Sequence, residues 1–306
     1  MKRGLFYIVF FVMLTGISFI SKAQLTIATG FEKGSYYVMA NDMKKISSNP
    51  DQIKILTTTG SISNFNKITR DTSVDIGFMQ FDVLVYEELS DVKKKSKVTD
   101  KVKVVFPLGY EEIHLLTLKE YKIKNLKDLK EKTVAIGSKN QGSNYTAKII
   151  KKMVEGEWDE SEMSFDDALS ALLDKRIDAL FFVGAAPISK FISPSPAFNK
   201  LALVPITDKK LSEYYTATTI KKGTYAWQEK DVNTYSVKMV VTVDISKLSP
   251  ADASLLNQFI SDVKGNLSKL QEQGHPKWKT VDFNFGDVKW KIYDGSKSIF
   301  GVTDPQ

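Results

Sequence analysis

Apolar residues along this chain follow two patterns, short β-branched runs and longer stretches with helical spacing. The runs at 25–29, 53–56 and 179–183 suit buried strands. Between such runs, apolar residues recur every three or four positions, as at 36–46 and 165–173, which is typical of helices packed on a sheet. The alternation predicts an α/β protein with mostly parallel strands flanked by helices.

One strand–loop–helix pattern occurs twice. Residues 26–37 (TIATGFEKGSYY) recur in altered form at 134–145 (VAIGSKNQGSNY). In both copies, glycines permit close approach of the backbone, and Ser35 or Ser143 is placed to cap the following helix. Helix N-termini present free N–H groups, so two facing loops would form a cleft for a polar ligand. The repeat predicts two similar lobes with a binding site between them.

A second unit is shared by the two halves. At 72–82 and again at 165–187, a strand that ends in small or polar residues follows a basic turn and an aspartate. Chance is the alternative explanation, because helix–turn–strand units are common in α/β chains. The strand candidates at 114–118 and 235–243 would carry the chain between lobes. They predict a discontinuous first lobe, 24–109 and 235–306, and a second lobe, 110–234.

The N-terminal segment has the features of a secretory signal peptide. Lys2 and Arg3 precede an apolar run at 5–14, and Ser21-Lys22-Ala23 places small residues as a cleavage site requires. An uncleaved anchor is the alternative, but the run is shorter than the ~20 residues of a membrane span. We expect residues 1–23 to be removed and the mature protein to be periplasmic.

Composition and charge exclude several classes of protein. The chain has no cysteine, which excludes a disulfide scaffold, a zinc–thiolate site and a cysteine nucleophile. The formal charge of +7 falls to +4 once Lys2, Arg3 and Lys22 leave with the signal peptide. The lysine-rich run at 93–97 is interpreted as an exposed loop and not as a nucleic-acid patch. No nucleic-acid partner is expected.

Catalytic constellations are missing from the sequence. The two histidines, His114 and His275, are too far apart for a helical metal pair, and no nucleophile elbow, Walker A loop or dinucleotide fingerprint is present. Glu111 and Glu112 are adjacent on a strand candidate, so their side chains point to opposite faces. The sequence predicts a binding protein, with no enzymatic activity and no metal or cofactor.

Taken in order, several motifs resemble the TAXI family, the extracytoplasmic solute receptors of the TRAP transporter group. They are TGFEKGSYY at 29–37, TGS at 59–61, VDIGFMQFD at 74–82, LKDLKEKTVAIG at 126–137 and IDALFFVGAAP at 177–187. The resemblance implies a two-lobed periplasmic binding protein of type II, which closes over a solute and presents it to a TRAP membrane permease. It implies glutamate or glutamine as the solute, with a small dicarboxylate next.

Candidate ligand contacts come from the loops and from the family motifs together. They are Gly30, Glu32, Lys33, Gly34, Ser35, Tyr36, Thr59, Ser61, Gln80, Asp82, Ser138, Asn140, Gly142, Ser143, Phe182 and Gly184. The bulky residues 31–33 and 139–141 depart from the small residues usual in the family, and would alter the size or charge preference of the pocket. An exported sensor or interaction protein that keeps the fold without transport is the alternative function.

Overall fold

The computed structural model describes residues 23–192 and 195–305, so the predicted signal peptide lies almost wholly outside the described residues. The strands in this part of the chain are β1 (Leu25–Ala28), β2 (Ile53–Leu56), β3 (Ile76–Gln80), β4 (Val102–Leu118), β5 (Thr133–Ala135), β6 (Asp159–Ser161), β7 (Ala179–Gly184), β8 (Leu201–Leu203), β9 (Thr216–Ile220) and β10 (Val232–Asp244). The α-helices there are α1 (Ser35–Ile46), α2 (Ser61–Arg70), α3 (Phe81–Lys94), α4 (Gly142–Val154), α5 (Phe165–Leu173), α6 (Ser189–Ile192), α7 (Pro250–Gly265), α8 (Leu267–Gln273) and α9 (Asp294–Phe300).

All of these strands join one continuous mixed sheet. Its order is β2-β1-β3-β10-β4-β7-β5-β6, with β8 paired to β4 and β9 paired to β10. β1 pairs in parallel with β2 and β3, and β5 does so with β6 and β7. Every pairing of β4 and β10 with another of these strands is antiparallel. The two-lobed α/β class is confirmed, but the expectation of mostly parallel strands is wrong, because two long strands cross the middle of the sheet.

The hydrophobic core is divided into clusters on the two sides of these crossing strands. Residues 25–108 and 239–293 supply one cluster, which includes Phe78, Phe106 and Trp278. Residues 113–237 supply the other two clusters, around Trp158 and around Phe191. The domain boundaries at 109/110 and 234/235 stay a prediction. The first falls within β4 and the second within β10.

β4 and β10 are the direct connections between the two sides. β4 is 17 residues long, where the sequence predicted two separate strands, and β10 has 13 residues. Lys238 pairs with Tyr110, and Val240 pairs with Pro107. From one pair to the next, the chain advances by two residues along β10 and by three along β4, so β4 carries one extra residue. Such a bulge bends and twists the strand that carries it. The bend lies where the chain passes from one lobe to the other, which is a suitable place for a hinge.

The C-terminal tail, which the predicted division of the chain includes in the first lobe, packs against that lobe. Trp278 is fully buried, and its indole N–H donates to Asp42 Oδ2 at 3.1 Å. The indole N–H of Trp290 donates to the carbonyl of Val102 at 2.9 Å. These contacts anchor the tail at both the first helix and the first crossing strand. They extend the core of this lobe.

The lysine-rich run at 93–97 does not lie wholly in a loop. Lys93 and Lys94 form the end of α3, and Lys95 ends the helix in the left-handed conformation. Cations are favourable at a helix C-terminus, because they offset the negative end of the helix dipole. No helix among the residues described is both long and apolar enough to cross a membrane.

Candidate functional site

Three helices begin around a small cavity between the lobes. α1 and α2 follow β1 and β2 in the first lobe, and α4 follows β5 in the second. The cavity has a volume of about 70 Å³. It is lined by Gly30, Phe31, Gly34, Ser35, Tyr36, Thr59, Gly60, Ser61, Gln80, Glu111, Gln141, Gly142, Ser143, Phe182, Val183, Gly184, Ile188 and Ser189. Both copies of the strand–loop–helix repeat therefore face the same space.

Eleven of the sixteen predicted site residues line this cavity. They are Gly30, Gly34, Ser35, Tyr36, Thr59, Ser61, Gln80, Gly142, Ser143, Phe182 and Gly184. The remaining five, Glu32, Lys33, Asp82, Ser138 and Asn140, are not among the lining residues. The structure thus brings both loops of the repeat together, while direct contact of these residues with a ligand stays a prediction.

Residues at the tips of the two loops lie outside the cavity. Glu32, Lys33 and Asn140 are exposed, and Ser138 is partly buried. Their backbone atoms nevertheless join the lobes: the Ser189 hydroxyl donates to the carbonyl of Lys33 at 3.1 Å. On the other side, the carbonyl of Asn140 accepts from a backbone N–H of α2 at 3.2 Å. Lys33 and Asn140 therefore contribute contacts between the lobes and do not line the cavity.

Asp82 also lies away from the cavity, although the family motif placed it in the cleft. Its carboxylate accepts hydrogen bonds from the Thr146 hydroxyl at 2.7 Å and from the Tyr215 hydroxyl at 3.0 Å. Asp82 belongs to the first turn of α3, while Thr146 lies on α4. Asp82 therefore links the two lobes. Burial raises its pKa to about 6, against the opposing effect of the two hydrogen bonds.

Glu111 is the cavity residue of greatest chemical interest that the site prediction missed. The alternation of side chains along β4 separates it from Glu112, as the sequence predicted. Glu112 instead binds Lys277 Nζ at 2.7 Å and the backbone N–H of Ala186 at 2.7 Å. Glu111 is only 3% exposed and lines the cavity. Its position could not be inferred from local pattern, because the crossing of the lobes by β4 decides which face meets the cleft.

A chain of hydrogen bonds leads to the Glu111 carboxyl. The Tyr36 hydroxyl donates to Glu111 Oε2 at 2.6 Å, and it lies 3.2 Å from the Ser61 hydroxyl. Since the phenol proton points to Glu111, the Ser61 hydroxyl is the donor in the second bond. The backbone N–H of Gln80 in turn donates to Ser61 Oγ at 3.2 Å. Burial, only partly offset by the bond from Tyr36, raises the pKa of Glu111 to about 8.

The lobes are in contact at the N-terminus of α4. A Cβ atom at Gly142 would overlap with Gln80 Oε1 and lie 2.9 Å from Ser61 Oγ, so glycine permits this close approach and a larger residue would displace the Gln80 side chain. Gln80 is 3% exposed, and its Oε1 has no hydrogen-bond partner among the described residues. A buried acceptor without a donor is costly, which makes Gln80 a candidate to bind a donor from a ligand.

Glu111 is the single ionisable carboxyl or basic side chain among the residues that line the cavity. Lys139 is exposed and lies 3.9 Å from Glu162, while Lys190 lies over the Phe31 ring at 4.7 Å. His114 is fully buried between the Tyr225 hydroxyl and a backbone carbonyl, and burial lowers its pKa to about 4. In the described part of the chain, no cluster of three or more potential ligands could hold a metal ion.

Comparisons with known proteins agree with this architecture. A family model described as the NMT1-like family matches residues 27–275. A substrate-binding protein of an amino acid ABC transporter superposes with a TM-score of 0.50 and 13% identity, over 83% of this chain and 100% of that one. An arginine-bound substrate-binding protein of an amino acid ABC transporter from Streptococcus pneumoniae also superposes with a TM-score of 0.50 and 13% identity, over 89% of this chain and 96% of that one.

A third match is the effector-binding domain of QuiR in complex with shikimate. It has a TM-score of 0.50 and 8% identity, over 80% of this chain and 99% of that one. At these identities the matches establish the fold alone, which is that of type II periplasmic binding proteins.

Proposed function

We propose that this chain, which belongs to the NMT1-like family, is a solute-binding protein that captures a small polar molecule between its lobes. The observation that carries the proposal is the convergence of three helix N-termini and a buried carboxyl on one interlobe cavity. The first N–H groups of a helix have no partner within the helix and suit polar or anionic ligand atoms. Hydroxyl, amide and carboxyl groups around them supply further hydrogen bonds.

Capture requires the lobes to part, because the cavity is far smaller than the ~300–1,000 Å³ typical of ligand pockets. Opening would break the contact between Gly142 and Gln80 and the hydrogen bond between the Ser189 hydroxyl and the Lys33 carbonyl. The bulged part of β4 is the proposed hinge. Closure around a solute would then restore these contacts, as in hinge motions of two-lobed proteins generally.

The proposed solute is an amino acid, with glutamate and glutamine as the first candidates. We further propose that the protein is periplasmic and delivers the solute to a membrane permease. The motif resemblance favours a TRAP-type permease. Proteins of the same fold are named as parts of amino acid ABC transporters, so the fold by itself is compatible with either partner.

Thermal unfolding of the chain from residue 24 tests solute capture. The panel contains the amino acids and their deaminated or amidated analogues. A ligand at 100 times its Kd stabilises the folded state by about 2.7 kcal/mol, which is readily measured as a rise in Tm. At least one amino acid is expected to raise Tm, with saturable binding in calorimetry. If no member of the panel changes Tm, the proposal of amino acid capture is wrong.

Uptake measurements separate transport from sensing once a ligand is found. Cells that lack this gene are expected to lose uptake of the bound solute, and a copy of the gene should restore it. Unchanged uptake together with intact binding would favour the alternative, an exported sensor that uses the same cleft.

A further inference from the structure

The cavity combines one buried carboxyl with hydrogen-bond donors and holds no basic side chain among its lining residues. A dicarboxylate would bring two negative charges into this cavity, with no lysine, arginine or histidine in the lining to balance them. Glu112, the neighbouring carboxylate, is already paired with Lys277. The charge pattern therefore disfavours one of the solute classes expected from the sequence and favours a ligand with a positive group.

Glu111 has an oxygen available for such a group. The Tyr36 hydroxyl occupies Oε2, and Oε1 receives no hydrogen bond from a described residue. Gln80 offers a second acceptor in the same lining, since its buried Oε1 is also without a partner. A protonated amine has three N–H donors, which suits two or more acceptors at one site.

On these grounds we propose that Glu111 is the specificity-determining residue of the cleft and that it pairs with a protonated amine of the solute. This inference rests on the proposed function and names the class of ligand: a small amine, with amino acids as its zwitterionic members. The carboxylate of an amino acid would be bound by N–H groups at the starts of α2 and α4. Those of Ser61 and Gly142 find no acceptor among the described residues. Dicarboxylates that lack nitrogen are expected to bind less tightly than amino acids.

Pairing with an amine has a consequence for protons. The pKa of Glu111 is raised to about 8 by burial, and the negative charges of Glu112 and Asp82 also raise it, whereas Lys277 lowers it. The carboxyl is thus mostly protonated at pH 7. When the amine arrives with its own proton, the carboxyl releases one proton to solvent and becomes the anion of the ion pair. Affinity for amines should therefore rise between about pH 6 and 8 and level off above that range.

Calorimetry with matched ligand pairs tests the proposal: L-glutamate against glutarate, L-alanine against propionate, and glycine against acetate. Each pair differs by the amine. The amino acid that binds is expected to do so at least about tenfold more tightly than its deaminated analogue, as for a charged hydrogen bond gained. Titrations at pH 7 in buffers with different ionisation enthalpies should show release of close to one proton per amine bound.

Two variants test whether Glu111 is responsible for amine binding and for the release of a proton. Glu111→Gln keeps the size and the acceptor for Tyr36, and should weaken amine binding by about 10- to 100-fold, as for a charged hydrogen bond lost, and abolish proton release. Glu272→Gln removes the same charge from an exposed position of α8 outside the cavity lining and should change neither. Tm and circular dichroism verify that both variants fold.

The outcomes separate the two proposals. Glutarate binding as tightly as L-glutamate, or Glu111→Gln binding as tightly as wild type, overturns the assignment of Glu111 and leaves solute capture standing. If neither these probes nor any member of the wider amino acid panel binds, both proposals are wrong.

Discussion

Replacement of Asp82 by asparagine should remove the loss of stability that the wild type undergoes as pH rises from 3.8 to about 6. Asp82 is 7% exposed, and its pKa is raised from 3.8 to about 6 because burial penalises the charged form. Below pH 3.8 the group is protonated in the folded and unfolded states alike. Between pH 3.8 and about 6 it holds its proton only when folded, so the free energy of unfolding falls as pH rises. Above this window it is ionised in both states.

The magnitude follows from the shift. A rise of about two pKa units, at 1.36 kcal/mol per unit, makes the ionised form about 3 kcal/mol less stable than the protonated form. The asparagine side chain would stay neutral at every pH, and its oxygen can still accept from Thr146 and Tyr215. The stability difference between Asp82→Asn and wild type should therefore increase by about 3 kcal/mol from about pH 4 to pH 7.

Urea unfolding at a series of pH values measures this difference. Tryptophan fluorescence reports both lobes, through Trp278 in the first and Trp158 in the second. Asp91→Asn on the same helix is the matched control. Its carboxylate accepts from the hydroxyl and backbone N–H of Thr99, each at 2.7 Å, and its pKa is lowered. This control should lose stability relative to wild type as pH rises, the opposite slope. A difference for Asp82→Asn that is independent of pH would refute the reasoning.

Two further substitutions test the contacts between and within the lobes. Gly142→Ala should weaken ligand binding by about tenfold or more, because the added Cβ would meet Gln80 Oε1 in the closed form. Calorimetry measures this loss of affinity. Gly265→Ala is the control and should leave the affinity unchanged, because its added Cβ has no neighbour within 4 Å. Ser143→Ala should lower the free energy of unfolding by about 1–3 kcal/mol in urea, because the Val183 N–H loses its acceptor at 2.9 Å; an unchanged midpoint would contradict this.

The repeated strand–loop–helix pattern allowed much of the cavity to be predicted from the sequence. The pattern depends only on residues that are neighbours in the sequence: in both copies, glycines, a hydroxyl residue and the start of a helix follow a buried strand. Such a unit places the helix N-terminus at the end of its own strand regardless of the rest of the fold. Ser35 and Ser143 of the two copies line the same cavity, and Ser61, which follows β2, lines it with them.

Asp82 and Glu111 show where local pattern stops being sufficient. β3 ends at Gln80 and α3 starts at Phe81, so Asp82 is carried by the first helical turn towards α4 and away from the cavity. Glu111 depends on the course of β4 through both lobes. The sequence predicted two strands there, and a break between them removes the geometry that directs Glu111 inward. The position of Asp82 depends on where α3 begins, and that of Glu111 on the path of β4 across both lobes. Hydrophobic periodicity encodes neither.

The loop at 31–33 was expected to distinguish the ligand of this chain, and the structure narrows that expectation to one side chain. Glu32 and Lys33 are exposed, whereas Phe31 lines the cavity and lies beneath the Lys190 ammonium. An aromatic ring at this wall adds apolar surface to a cavity of about 70 Å³. Charge interactions strengthen when water is excluded, and unpaired charge becomes costlier. We therefore expect Phe31 to affect selectivity through Glu111, because a cleft that contains less water lets the carboxyl discriminate more strongly between an amine that pairs with it and an anion that does not.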